Sequence, residues 1–228
     1  MSKRLAPIGV LILMVTVAAS AGDIARFVNL GFSPDSRYFM FGQYGIQEKT
    51  STPWAETFIV DVRANAFVAH GIRKASSTQQ VDSGNDGIGA LFDAAAEARA
   101  QVVRYRIHHL LTGRMLYILA DGAPPPDTID FRDFQAGRSY QINLTQNPPA
   151  GESGAAYWLV ISVTYKDGTV HTYRAGDISL RRPGVRAYHI KEIILAPNNA
   201  SLVFLIQREE QDTRGNNIRY MIETVGIN

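Results

Sequence analysis

A pattern of strand, tight turn and strand occurs twice in the 228-residue sequence, once near each end. The first copy has turn residues 33–36 (SPDS), an apolar run at 37–41 and a second run at 57–62; the second copy has 196–199 (APNN), 200–206 and 219–224. Pro34 lies 27 residues before Asp61, and Pro197 lies 26 residues before Glu223. Because the copies match to within one residue, they predict two equivalent pieces of β-sheet. The polar segments between the two runs, at 45–52 in the first copy and 209–217 in the second, are expected to be loops.

Both turn sequences have a physical basis, since proline restricts φ while Asp and Asn bond their own backbone and tolerate left-handed conformations. Phe39 and Phe41 in the first copy should correspond to Leu202 and Phe204 in the second, with one member of each pair facing the core. A lone two-stranded hairpin is marginal in water. We therefore expect both copies to join the central strands, which brings the two ends of the chain together.

The middle of the sequence changes its period. Apolar residues at helical spacing, together with the helix-forming segment 94–100, predict one central helix at 88–102. Further strands are predicted at 115–119, 139–144, 157–165 and 170–173, the last two joined in a hairpin by the Asp-Gly turn at 167–168. The fold class is thus mainly β (α+β), with antiparallel sheets in a single domain at 22–228 and a possible internal boundary near 122–127.

The string GFSPDSRYFMF at 31–41, followed by FIVDV at 58–62, resembles the blade repeat of TolB-type β-propellers, in which an SPDG turn separates two strands. The second copy departs from it, because Ala196 replaces the serine and two asparagines replace the Asp-Gly pair. Pro34 and Pro197 are 163 residues apart, or four steps of about 41, and propeller blades are ~40–45 residues long. The resemblance therefore implies, as an alternative, a small degenerate five-bladed propeller, although a complete ring has no place for the helix.

Residues 30–47 (LGFSPDSRYFMFGQYGIQ) also resemble the start of an uncharacterised family of predicted secreted bacterial proteins. This resemblance extends over the mature chain. It implies export, but it brings no assigned activity and no catalytic residues.

Residues 1–21 have the pattern of a signal peptide, with Lys3 and Arg4 before an apolar run at 8–18 and the small-x-small sequence ASA at 19–21. Gly22 is the predicted first residue of a periplasmic or secreted protein. The alternative, an N-terminal membrane anchor, needs an apolar run of ~20 residues. Cleavage removes two of the 23 Lys and Arg and none of the 21 Asp and Glu, so the mature chain carries no net charge and nucleic acid is not an expected partner.

The sequence contains no cysteine, which excludes disulfides, thiol nucleophiles and Cys-ligated metals. The best cation candidate is the loop 82–93, where Asp82, Asp86 and Asp93 occupy positions 1, 5 and 12 of the calcium-loop pattern. Position 3 is Gly84, and position 12 lacks the bidentate Glu. The sequence instead predicts that Asp86 caps the helix, with no metal and no cofactor, and calcium binding is the alternative.

No catalytic residue is predicted. The segment 151–154 (GESG) lacks the G-x-S-x-G spacing, and the histidines show no metal-ligand spacing. A glycosidase needs two carboxyl groups at a defined distance from each other. Candidates for such a pair are Asp35, Glu48, Glu56 and Asp61, but the sequence does not give the distances between them. A secreted hydrolase acting on envelope carbohydrate or peptide is therefore the alternative function.

Tyr44 and Trp54 flank the polar segment 45–52 and are the candidate binding residues. Aromatic side chains beside a loop are typical anchors for protein partners or sugars, and the competing interpretation is that they pack on the strand faces. The sequence favours an exported, non-catalytic module. Its expected partner is another periplasmic protein or a cell-envelope component, with no stable membrane insertion after cleavage.

Overall fold

The computed structural model describes residues 23–82, 84–148, 154–212 and 215–227, and in this part of the chain the fold is mainly β, as predicted. Three four-stranded antiparallel sheets are present. The first sheet, in spatial order, consists of β1 (Arg26–Phe32), β2 (Tyr38–Gln47), β3 (Thr52–Asp61) and β4 (Ala66–Ser76). The third sheet consists of β6 (Thr128–Asp133), β7 (Arg138–Asn147), β8 (Ala155–Thr164) and β9 (Val170–Arg182).

The central sheet takes strands from distant parts of the chain. Its spatial order is β12 (Gly215–Gly226), β11 (Ser201–Asp212), β10 (Val185–Leu195) and β5 (Arg114–Ile118). Both of its faces are buried: Val203 and Leu205 pack with the first sheet, while Leu202, Phe204 and Ile206 pack with the third. The central sheet is therefore the middle layer, and it gives the N- and C-terminal copies of the sequence pattern a common core.

Two helices, α1 (Ile88–Glu97) and α2 (Arg99–Arg104), cover the outer face of the first sheet. The sequence predicted one helix at 88–102, but the structure has two, because the helical hydrogen-bond pattern is interrupted at Ala98. That residue keeps helix-like angles (φ −79°, ψ −4°), and its N–H is shared between the carbonyls of Ala94 and Ala95. No helix-breaking residue marks this point, so the periodicity of the sequence does not reveal it.

The two predicted turns have the same geometry. Ser36 and Asn199 each have φ 57°, and each donates its N–H to the carbonyl three residues earlier, at 2.8 and 2.9 Å. The turns also contact each other, since the Asn198 N–H donates to Ser36 Oγ at 3.1 Å. The prediction that the ends of the chain come together is supported here, and again where the Ala25 N–H donates to the carbonyl of Ile218.

The strands after these turns are longer than the sequence indicated. The polar segments at 45–52 and 209–217 were expected to be loops, but β2 and β3 pair from Gln47 opposite Thr52, and β11 and β12 pair from Asp212 opposite Gly215. Cross-strand hydrogen bonds satisfy the backbone of these polar segments whatever their side chains are. Polarity alone therefore overestimated both loops.

The expectation that one residue of each aromatic or aliphatic pair faces the core was also wrong. Phe39 and Phe41 lie in the same buried cluster, and Leu202 and Phe204 lie together in another. Residues two apart on a strand share a face, so both members of each pair point the same way. The intervening Met40 is buried as well, against the helices, because β2 has a packed layer on both sides.

The hairpin of β8 and β9 is confirmed, with Gly168 at φ 86° in its turn. The described residues form three sheets and are not shown to close into a ring, so the five-bladed alternative and the propeller resemblance are unconfirmed. Residues 1–21, where the signal peptide is predicted, lie outside the described residues.

One ion pair joins the central and third sheets. Arg114 binds the buried Asp133 through two contacts, from Nη1 to Oδ1 at 2.9 Å and from Nη2 to Oδ2 at 2.6 Å. The Asp133 carboxylate also accepts the N–H groups of Gln135 and Ala136. The hydrogen bond from Arg114 is the main reason that the pKa of Asp133 is lowered, which outweighs the opposing effect of burial.

We expect Asp133→Asn to lower the free energy of unfolding by ~2–3 kcal/mol at neutral pH, because a buried ionic partner is lost while Arg114 keeps some access to solvent. The folded-state pKa of Asp133 is below its value in the unfolded chain, so its contribution is present at neutral pH and disappears as the pH falls through the folded pKa. Urea unfolding at pH 7 and at about pH 3 measures this. Asp130→Asn, at an exposed position on the same strand, is the matched control. A wild-type advantage that stays constant between the two pH values would contradict the assignment.

Candidate functional site

A cleft of about 440 Å³ lies where the first sheet meets strand β12 and where residues of β9 and β11 approach. The first sheet supplies an aromatic wall, and the other strands supply charged and polar groups. The described lining residues are Phe41, Gln43, Glu56, Phe58, Val60, Asn65, Ala66, Phe67, Ile72, Lys74, Arg182, Arg208, Tyr220, Met221, Ile222 and Glu223. The sequence separation of this set, from residue 41 to residue 223, explains why no local motif indicated the site.

Glu223 is a buried carboxylate in this cleft. The Tyr157 hydroxyl donates to its Oε1 at 2.8 Å, and the Asn65 amide donates to its Oε2. Burial and the nearby negative charge of Glu223 raise the pKa of Tyr157 well above its ordinary value. The phenol therefore stays protonated and acts as a hydrogen-bond donor that holds Glu223 in place.

The outer edge of β12 faces the cleft. In an antiparallel pair, every second residue turns its N–H and C=O away from the partner strand, and on β12 these residues are Ile218, Tyr220, Ile222 and Thr224. Asp23, Gln43 and Asn65 accept from Ile218, Tyr220 and Thr224, at 3.0, 2.9 and 2.9 Å. Among the described residues, no group bonds the N–H of Ile222, a residue that is 8% exposed and lines the cleft.

Two arginines, Arg182 of β9 and Arg208 of β11, also line the cleft. The Arg182 guanidinium lies over the rings of Tyr157 and Tyr188, 5.8 and 5.9 Å from their centroids. Within the described part of the chain, no carboxylate lies within ion-pair distance of Arg182. Arg208 pairs with Glu210 at 2.9 Å, while its buried Nε finds no hydrogen-bond acceptor among the described residues.

A second depression, of about 310 Å³, adjoins the cleft, since both are lined by Glu56 and Lys74. These two side chains form an ion pair at 2.6 Å. Trp54 and Arg219 line the depression, and the guanidinium lies 4.3 Å from the ring centroid. The cleft and the depression therefore lie side by side along the first sheet, and together they are called the groove below.

The structure places the two candidate binding residues differently. Tyr44 is buried against α1, and its hydroxyl donates to Asp86 at 3.2 Å. Trp54 is 8% exposed and borders the groove. No exposed aromatic patch is formed by these two residues, and their role in binding remains a prediction.

The candidate residues for metal binding or catalysis do not come together in one site. The prediction that Asp86 caps the helix is wrong, because the N-cap of α1 is Gly87, in the left-handed conformation (φ 73°) and with no side-chain cap hydrogen bond. Asp86 precedes the cap, and its carboxylate accepts the Ile88 N–H at 3.1 Å. Asp35 accepts a hydrogen bond from the Ser33 hydroxyl within its turn, and Asp61 forms an ion pair with Arg37. Of the four candidate carboxylates, only Glu56 lines the cleft. Within the described ranges, no three His, Asp or Glu side chains come together as a metal site.

Arg182, Arg208, Ile222 and Glu223 are the site residues that the sequence analysis did not single out. In the sequence, Glu223 served only to measure the spacing of the repeat. Only the tertiary structure identifies these residues as a site, because the order of the strands brings them to one sheet edge.

These features define a class: a layered β-sheet protein with a charged and aromatic cleft along one sheet edge. Among the residues described, no helix is long and apolar enough to cross a membrane. The model of a protein family described as "Predicted secreted protein (DUF2259)" matches residues 40–226, and the chain belongs to this family. The family's description supports the predicted export. A search of curated proteins finds no match to the chain.

Proposed function

We propose that this exported protein is a non-catalytic binding module that binds a protein partner of the cell envelope in the groove formed by the cleft and the adjoining depression. The observation that supports the proposal is the combination, in one cleft, of an aromatic wall, the Ile222 edge amide and the Arg182 cation, which has no carboxylate partner among the described residues. Trp54 extends the proposed site through the adjoining depression, and Tyr44 supports the sheet beneath α1.

Binding is favoured over hydrolysis by the state of the two carboxylates in the cleft. Glu56 is held by Lys74 and by the Gln43 amide at 2.9 Å, and Glu223 is held by two neutral donors. A hydrolytic site needs a base or nucleophile free to reach the substrate. No histidine lies among the described residues that line the cleft.

Site-specific photo-crosslinking in the periplasm tests the proposal. A benzophenone amino acid at Phe67, half-exposed at the cleft, should give a discrete protein adduct, whereas the same amino acid at Phe92, exposed on α1, should not. Filling the cleft with Ala66→Trp should abolish the adduct, and the captured protein, once purified, should bind the wild type but not this variant. Equal labelling at both positions, or none at Phe67, would overturn the proposal.

A further inference from the structure

We propose that the cleft captures the C-terminal carboxylate of a polypeptide whose last residue is apolar. This inference rests on the proposed function and specifies which part of the partner enters the site. It follows from three groups that line the same cleft: the Arg182 cation and the Ile222 edge amide, neither of which has a carboxylate or backbone partner among the described residues, and the exposed apolar wall.

Arg182 is the primary carboxylate-binding group. Its guanidinium lies within cation–π distance of the rings of Tyr157 and Tyr188, a contact that leaves the N–H groups of the guanidinium as donors. One of them reaches only the Tyr188 hydroxyl, at 3.4 Å. A planar guanidinium with free donors matches a carboxylate with two parallel hydrogen bonds.

The edge of β12 supplies backbone recognition. The N–H of Ile222 can donate to a carboxylate oxygen, and the outward carbonyls of Tyr220 and Ile222 can accept an N–H from the last peptide units. Gln43 and Asn65 occupy the neighbouring amides, so only a short stretch of peptide fits against this edge. A chain end satisfies this limit better than the middle of a strand.

The first sheet supplies the pocket for the terminal side chain. Phe67 and Ile72 are 51% and 39% exposed at the cleft, and Phe58 lies behind them. Large apolar side chains left exposed beside charged groups mark a surface that an apolar group covers. The volume of about 440 Å³ is at the small end for ligand sites, which suits one or two residues.

A polypeptide end is favoured over a fatty acid by what surrounds the pocket. The cleft adjoins the depression lined by Trp54, Glu56 and Lys74, where the Glu56–Lys74 ion pair provides charged groups. A fatty acid requires an apolar channel for its chain. A peptide main chain instead continues into a polar groove, where it meets hydrogen-bonding side chains.

The test measures fluorescence anisotropy with the mature protein and a fluorescein-labelled tetrapeptide ending in leucine and phenylalanine, as the free acid and as the C-terminal amide. The free acid should bind about tenfold or more tightly than the amide, because charge-assisted hydrogen bonds to the carboxylate are lost. Sodium decanoate is the competitor that represents a lipid source and should not displace the peptide. Equal binding of acid and amide, no binding of either, or displacement by decanoate would overturn the inference.

Variants separate recognition from folding. Arg182→Gln should reduce the affinity for the free acid to that for the amide, and Arg182→Lys should recover only part of it because the two-point geometry is lost. Arg186→Gln, at an exposed position on β10, should bind as the wild type does. If both peptides fail while the adduct at Phe67 persists, the ligand class is wrong and the binding module stands; if the adduct is also absent, both proposals fail.

Discussion

Replacing Phe41 with alanine should lower the free energy of unfolding by ~3–5 kcal/mol, a large share of the ~5–15 kcal/mol typical of a domain. The side chain is fully buried, and its ring centroid lies 4.7 Å from that of Phe58 and 6.0 Å from that of Phe27. The substitution removes these contacts and leaves a cavity between the first and central sheets. Phe204→Ala should cost a similar amount on the other face of the central sheet.

Chemical denaturation followed by intrinsic fluorescence and circular dichroism measures both losses. Phe134→Ala, at a side chain that is 82% exposed, is the matched control and should change stability by less than ~0.5 kcal/mol. Losses below ~1 kcal/mol at both buried positions would mean that neither face of the central sheet is a true core. Phe204 does not line the cleft. Phe204→Ala should therefore lower stability but leave the ratio of the affinities for the acid and amide peptides unchanged.

Truncating the chain before Ile190 should unfold the N-terminal half together with the rest. The deletion removes β11 and β12, which supply Val203, Leu205 and Ile222 to the core that the first sheet needs. It also removes the backbone and side-chain contacts of Asp23, Gln43 and Asn65 with β12. The exposed apolar face of the first sheet would then have no partner, and its four strands would lose their cooperative transition.

Near-ultraviolet circular dichroism and amide hydrogen exchange on residues 22–189 measure this loss, with residues 22–228 as the control. A sigmoidal unfolding transition and slow exchange in β2 and β3 of the shortened chain would contradict the shared core. The same would follow if residues 22–122 folded alone, since the first sheet and helices would then form an independent unit.

Local chemistry determined part of this structure. The turns at 33–36 and 196–199 and the hairpin turn at 167–168 were predictable, because proline, asparagine and glycine act on the backbone of a few adjacent residues. The existence of β5, β7, β8 and β9, and of helical structure after Ile88, followed from short-range periodicity. Membership of the secreted family was likewise indicated by the residues of the first copy.

Other features depend on which strands become neighbours. Polar residues at 45–52 extended β2 and β3 because the partner strand satisfied their backbone, and Tyr44 became buried because α1 packs over it. Face assignment on β2 and β11 required knowing that a packed layer lies on each side of the strand.

The cleft is the clearest case of a feature that only the tertiary structure decided. Arg182 comes from the third sheet, Ile222 from the edge of the central sheet and Phe67 from the first, and nothing in their sequence neighbourhoods distinguishes them from surface or core residues. The sequence by itself determined turns, strands and a helical segment, because these depend on contacts within a few residues. The site depends on sheet order and strand register, which are set by burial between residues far apart in the chain.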